Sequence, residues 1–198
     1  MSFPRPERVR PLTLHTVADL LGDGARLTHG DPATEVTGVS LDTKTLQPGD
    51  LWAALPGARA HGADFVDQAL AAGAVAVLTD ADGVSRLRAK GVELPLVEVE
   101  RPRTVLGRVA AAVYDSAARR PTMFGITGTN GKTTTAYLMV SALEALGRTT
   151  GLIGTIETRI GSERIKSVRT TPETTDLHAL LATMGERGVD ACVMEVSS

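Results

Sequence analysis

Residues 125–135, "GITGTNGKTTT", decide the fold. Glycines stand at 125, 128 and 131, ahead of Lys132 and three threonines. The apolar "TMF" precedes this stretch, and "AYLMVSALEALG" follows it at helical spacing. A glycine turn between a strand and a helix aims backbone N–H groups at one point, where the helix dipole adds positive potential. Gly128 and Gly131 leave room for a polyphosphate to approach the backbone. Lys132 can then reach the β- and γ-phosphates, and the Thr133 hydroxyl can ligate Mg²⁺. Common P-loop spacing would put the first glycine at position 126, which is Ile126, with Gly125 beside it. The generic pattern therefore holds from Gly131 onward. A plain glycine turn would explain the glycines but not a Gly-Lys-Thr at the strand–helix junction.

Working outward, "TMFGIT" reads as a strand and "KTTTAYLMVSALEALG" as a helix ending at Gly147. The strand "TTGLIGT", a polar hairpin-like segment over 156–168, the helix "TTDLHALLATMGERG" and the apolar strand "VDACVMEV" follow. Such alternation predicts a parallel sheet with helices on its faces. Glu195 falls at the C-terminal end of the last strand, where ligands gather in open α/β sheets. Beside a P-loop it is a candidate Mg²⁺ ligand, directly or through water. So few residues after the boundary would leave the far side of this sheet uncovered, which implies an incomplete ATP-binding domain and a longer protein.

The first half alternates short strands and helices. "TLHTVADLLG" is a helix capped by Thr13 and closed by Gly22. "VTGVSL" (36–41) and "LWAAL" (51–55) are strands separated by the turn "QPGD". Asp64 is the expected cap of the helix "FVDQALAAG", followed by the buried strand "AVAVLT" (74–79), a helix near 83–90 and the strand "PLVEVE". "RPRTVLGRVAAAVYDSAA" has helical spacing with Pro102 near its first turn. Arg119-Arg120-Pro121 breaks it. The domains expected are a flexible tail at 1–11, an α/β domain at 12–120 and a P-loop parallel-sheet domain at 121–198.

Composition excludes several classes. Aromatics are only 3% of the chain, which argues against stacking platforms for nucleic acid, and the net charge of −2 offers no basic footprint. No apolar run approaches the ~20 residues of a membrane helix, so no membrane insertion is expected. The basic start "MSFPRPERVRP" lacks the apolar core of a signal peptide. A single cysteine, Cys192, forms no internal disulfide, fits a reducing cytoplasm and suits a buried position.

The particular forms "GITGTNGKTT", "LIGT", "RTTPETT" and "MEVSS" together resemble the ATP-binding domain of the Mur ligases, the amide-forming enzymes of bacterial cell-wall precursor synthesis. The stretch "VTGVSLDTKTLQPGDLWAALPGARAHGADFVDQALAAGAVAVLTD" resembles the UDP-binding N-terminal domain of the ligases for the third and last peptide additions. "TTPE" and "MEVSS" favour the third addition, that of a diamino acid to UDP-N-acetylmuramoyl-L-alanyl-D-glutamate. The resemblance runs from about Leu12 to Ser198. It implies that Gly128, Thr129, Asn130, Gly131, Lys132, Thr133 and Thr134 wrap the ATP phosphates, with Lys132 on the γ-phosphate. Thr133 and Glu195 would serve Mg²⁺. Thr170, Thr171 and Ser197 would contact the muramoyl-dipeptide, and Leu41, Thr43, Ala58, Arg59 and Ala60 the UDP-sugar. In "LDTK", Thr43 keeps a hydroxyl, but Lys44 stands where the family usually has arginine and forfeits bidentate hydrogen bonding. Ala58 and Ala60 offer only backbone, which leaves Arg59 as the diphosphate partner.

The implied reaction has the substrate carboxylate attack the γ-phosphorus of ATP, giving an acyl phosphate that the amine then resolves. Both nucleophiles belong to substrates, so no Ser–His–Asp or Cys–His set is needed. His15, His29, His61 and His178 lack partners at ligand spacing, and only His61 is placed to touch substrate. A regulatory GTPase would need a guanine-reading Asn-Lys-x-Asp, which is absent. A non-catalytic nucleotide or UDP-sugar binding module remains as the alternative for this piece by itself. Family members also need a carbamylated lysine and a C-terminal domain, so the 198-residue chain alone is expected not to form amide.

Overall fold

The structure, a computed structural model, describes residues 3–167 and 170–197. It divides into two compact units, Arg8–Tyr114 and Asp115–Ser198, the second joined by Phe3–Glu7. The division falls at Asp115, ahead of the Arg119–Pro121 break expected from sequence. Asp115 takes a left-handed φ of 47°, a conformation Asp tolerates better than most residues. It splits the expected single helix into α4 (Pro102–Val113) and α5 (Ser116–Arg119), one in each unit.

In the Arg8–Tyr114 unit, β1 (Leu12–Thr13) leads into α1 (Leu14–Leu21), capped by the Thr13 hydroxyl accepting from Thr16 N–H. The remaining elements are β2 (Ala25–His29), β3 (Glu35–Val36), β4 (Gly38–Ser40), β5 (Asp50–Ala53), α2 (Val66–Ala71), β6 (Ala76–Thr79), α3 (Ala81–Ala89) and β7 (Leu96–Val99). The sheet order is β2-β7-β6-β5-β4, parallel except for β2, and β1 pairs with β3 separately. Trp52, Val77 and Leu96 from the sheet pack with Val66 and Ala69 of α2 and Val84 and Leu87 of α3 in one apolar cluster. At the sheet edge, Tyr114 Oη accepts from Val39 N–H (3.1 Å) and donates to Val39 C=O (3.2 Å).

One local expectation is corrected. The 3₁₀ turn Gly62–Phe65 that precedes α2 is capped by His61, not by Asp64. His61 Nδ1 accepts from Ala63 N–H, while the Asp64 carboxylate accepts from His61 N–H, so the two residues cap reciprocally.

In the Asp115–Ser198 unit the elements after α5 are β8 (Thr122–Ile126), α6 (Lys132–Ala145), β9 (Thr150–Ile153), β10 (Glu157–Ile160), β11 (Glu163–Lys166), α7 (Thr174–Glu186) and β12 (Ala191–Glu195). The expected hairpin over 156–168 is β10–β11; residue 168 lies outside the described residues. Sheet order is β11-β10-β9-β12-β8, with β9, β12 and β8 parallel. Alternate strand residues face opposite ways. Leu152, Val193 and Phe124 pack on Ala136 and Val140 of α6. Ile153, Cys192 and Met194 pack on Leu180 and Met184 of α7. Both faces are thus covered, contrary to the expectation of a bare far side. Nor are residues 3–7 a loose tail: Phe3 packs in the α7 cluster, Thr183 Oγ1 donates to Pro4 C=O at 3.4 Å, and Glu7 N–H bonds Glu186 at 2.9 Å. Residues 1–2 lie outside the described residues. Among the described residues, no helix is long and apolar enough to cross a membrane.

Candidate functional site

The pairing of β8 with β12 sets Ile126 opposite Glu195, so the glycine loop and the carboxylate leave the sheet at the same end. Val196 N–H donates to Ile126 C=O at 2.8 Å and extends that pairing. Gly125 is part of β8; the turn is made by Gly128 (φ 142°) and Gly131 (φ 80°), values that side-chain-bearing residues rarely adopt. Gly131 is the N-cap of α6 and supplies no side-chain cap. The first intrahelical bond runs from Thr135 N–H to Gly131 C=O at 2.9 Å, so the N–H groups before it have no helical partner. Thr129, Asn130 and Thr134 are exposed. Lys132 folds back, its Nζ donating to Gly128 C=O at 2.6 Å.

Glu195 is only 1% exposed, and burying a carboxylate is costly unless hydrogen bonds replace water. Three neutral donors do so. Thr155 N–H reaches Oε1 at 3.1 Å, and the hydroxyls of Thr133 and Thr155 reach Oε2 at 3.0 and 3.1 Å. Hydrogen bonds to a charged acceptor contribute about 1.5–3 kcal/mol each. A Cβ on Gly154 would lie 2.4 Å from Glu195 Oε1, so only glycine lets β9 end this close to the carboxylate.

Thr170, Thr171 and Ser197 join the same end. Thr155 Oγ1 lies 3.2 Å from Thr170 Oγ1, Thr171 Oγ1 donates to Glu195 C=O at 3.4 Å, and the Thr171 and Ser197 hydroxyls lie 3.1 Å apart. Every expected residue of this unit is therefore at one end of the sheet. Sequence reading missed Gly154 and Thr155. Their signal was present in "LIGT", whose glycine and threonine immediately follow a buried strand.

The donors fit a magnesium ion. A carboxylate and a hydroxyl are the hard oxygen ligands it favours. Among the described residues, no group of three or more His, Cys, Asp or Glu forms a cage. A nucleotide-associated Mg²⁺ typically takes one or two protein oxygens and leaves its other positions to phosphate and water.

The Arg8–Tyr114 unit has a separate cavity of about 370 Å³, beyond the C-terminal ends of the parallel strands β4 and β5. Leu41, Thr43, Lys44 and Ala60 line it, together with Trp52, Phe65 and Gln68. Thr43 Oγ1 donates to Gln68 Oε1 at 2.9 Å. Ala58 and Arg59 are exposed in the neighbouring loop and do not line the cavity. His61, the one histidine expected near substrate, is buried with both ring nitrogens engaged. Nδ1 accepts from Ala63, which leaves the proton on Nε2, 3.1 Å from Asp80 Oδ1. Its role is structural.

Residues 126–198 match the Mur ligase middle domain, and residues 35–114 match the Mur ligase family catalytic domain. The chain belongs to the Mur ligase family. This Mur ligase chain is 55% identical over 199 residues to the UDP-N-acetylmuramoyl-L-alanyl-D-glutamate–2,6-diaminopimelate ligase of Streptomyces avermitilis, covering 100% of the chain and 38% of that protein. It spans well under half the length of the relatives it matches. A solved ligase of that same description shares the fold at TM-score 0.69 and 21% identity, over 95% of this chain and 36% of that one. The MurF ligase of Thermotoga maritima, solved in complex with ADP, does so at TM-score 0.51 and 22% identity, over 82% and 32%.

Proposed function

We propose that this chain carries the nucleotide-handling and UDP-sugar-handling portions of a cytoplasmic, ATP-dependent amide ligase of peptidoglycan precursor synthesis. The enzyme adds a diamino acid, meso-diaminopimelate or lysine, to UDP-N-acetylmuramoyl-L-alanyl-D-glutamate. The observation that carries this reading is the convergence of the glycine loop, Lys132, Thr133 and buried Glu195 at one sheet end.

In this reading the backbone of Gly128–Thr134 and the open N–H groups of the first turn of α6 hold the triphosphate of ATP. Lys132 exchanges Gly128 C=O for the γ-phosphate, where its charge is most useful as negative charge develops in transfer. The Thr133 hydroxyl and Glu195 would hold Mg²⁺, which would supply neutralisation of the charge that develops in phosphoryl transfer. The substrate carboxylate attacks the γ-phosphorus, ADP departs, and the acyl phosphate so formed is resolved by the amine with release of phosphate. Thr170, Thr171 and Ser197 contact the dipeptide end of the substrate. The cavity beside Leu41, Thr43 and Ala60 takes the uracil-nucleotide end, and Arg59 with the Ala58 backbone serves the diphosphate.

Calorimetric titration with a non-hydrolysable ATP analogue and Mg²⁺, and separately with the UDP-muramoyl-dipeptide, tests this directly. Both ligands are expected to bind the chain, each at its own site. Failure of the ATP analogue to bind, or its binding undiminished by loss of Lys132, would sink the reading.

A further inference from the structure

We infer that Thr155 is a positioning residue that aims the Glu195 carboxylate at the cation, an inference resting on the proposed Mg²⁺ role of Glu195. Among the described residues, Thr155 is the one that holds both carboxylate oxygens: its N–H takes Oε1 at 3.1 Å and its hydroxyl takes Oε2 at 3.1 Å. Together these two bonds fix the plane of the carboxylate. Gly154, one residue earlier, leaves the space that Oε1 occupies, since a Cβ there would approach it to 2.4 Å. The third donor, the Thr133 hydroxyl, is itself a candidate ligand, so it is committed to the cation when one binds. Among the described residues, that leaves Thr155 to orient the group.

The hydroxyl of Thr155 has one proton and two acceptors. Thr170 Oγ1 lies 3.2 Å away on its other side. Oε2 carries two lone pairs, so a cation can take one while the Thr155 hydroxyl keeps the other and the N–H bond to Oε1 stays in place. Outer partners that orient a ligand typically change metal affinity by about 10–100-fold when removed.

The test is ADP binding to the whole chain, measured by calorimetry with Mg²⁺ present and with Mg²⁺ removed by chelator. For the wild type, Mg²⁺ is expected to strengthen ADP binding. Thr155→Val should diminish that Mg²⁺ enhancement by about 10–100-fold while leaving metal-free ADP affinity unchanged. Thr155→Ser, which restores the hydroxyl, should recover it. Gly154→Ala, which displaces the carboxylate from the other side, should reproduce the Val defect and stands as the independent variant should Thr155→Val fail to fold. An unaltered Mg²⁺ dependence in Thr155→Val or Gly154→Ala overturns the inference and leaves the nucleotide site intact. Absence of any Mg²⁺ enhancement in the wild type removes the Glu195 reading itself, and the inference with it.

Discussion

Lys132 shows how one side chain is stored before use. Its ammonium sits on Gly128 C=O, a neutral acceptor within its own loop, so little holds it against the attraction of a phosphate. Lys132→Ala should leave UDP-sugar binding intact, weaken the ATP analogue, and in the assembled ligase lower turnover by about two orders of magnitude, the cost of losing one transition-state donor. Phosphate release and calorimetry on the variant check both halves. Tyr114 acts by a different route. It covers the otherwise open edge of β4 with a two-way hydrogen bond to Val39. Tyr114→Phe leaves those buried backbone groups unpaired and should destabilise the Arg8–Tyr114 unit by about 1–3 kcal/mol, read as a lowered urea midpoint.

Among the elements, the packing of α5 on α7 carries a pH signature. His178 on α7 lies 2.8 Å from the Ser116 hydroxyl of α5, and burial holds its pKa below the ordinary 6.5. The native state thus binds fewer protons than the unfolded chain in the window between that lowered value and 6.5. Stability from this group is full above 6.5 and is lost as pH falls through the window. His178→Gln should flatten the acid-side decline of the thermal midpoint. Elements of this unit were legible in sequence because the glycine turn, the helical spacing after Lys132 and the apolar run before Glu195 are strong local signals. Other features were not. β2 is an antiparallel edge strand whose residues, "ARLTH", alternate only weakly, so no period-2 pattern announced it. The cap at His61 was hidden because an imidazole in that role depends on Asp80, distant in sequence. The bond from Thr155 to Glu195 likewise joins the ends of two strands, a relation that only the sheet order creates.

For the molecule as a whole, each unit has its own core and a chemical marker within it. Cys192 is fully buried in the α7 face of its sheet, and burial pushes its thiol pKa up to about 12. Thiolate is the reactive form, so the native protein should resist iodoacetamide at pH 8 and be alkylated in denaturant. A nucleotide bound to this unit stabilises it by mass action, so ADP with Mg²⁺ should slow labelling in intermediate urea. Mass spectrometry of the labelled chain measures both. Rapid native alkylation would contradict the sheet packing around Cys192.

The other marker is optical. Trp52, the sole indole in the chain, is buried in the β-sheet yet borders the cavity beside Thr43. Any guest settling there changes the polarity and quenching around a single indole, which excitation at the red edge of its absorption separates from the two tyrosines. Titrating UDP against that emission would give occupancy without a label, and ADP, directed to the other unit, would serve as the silent control.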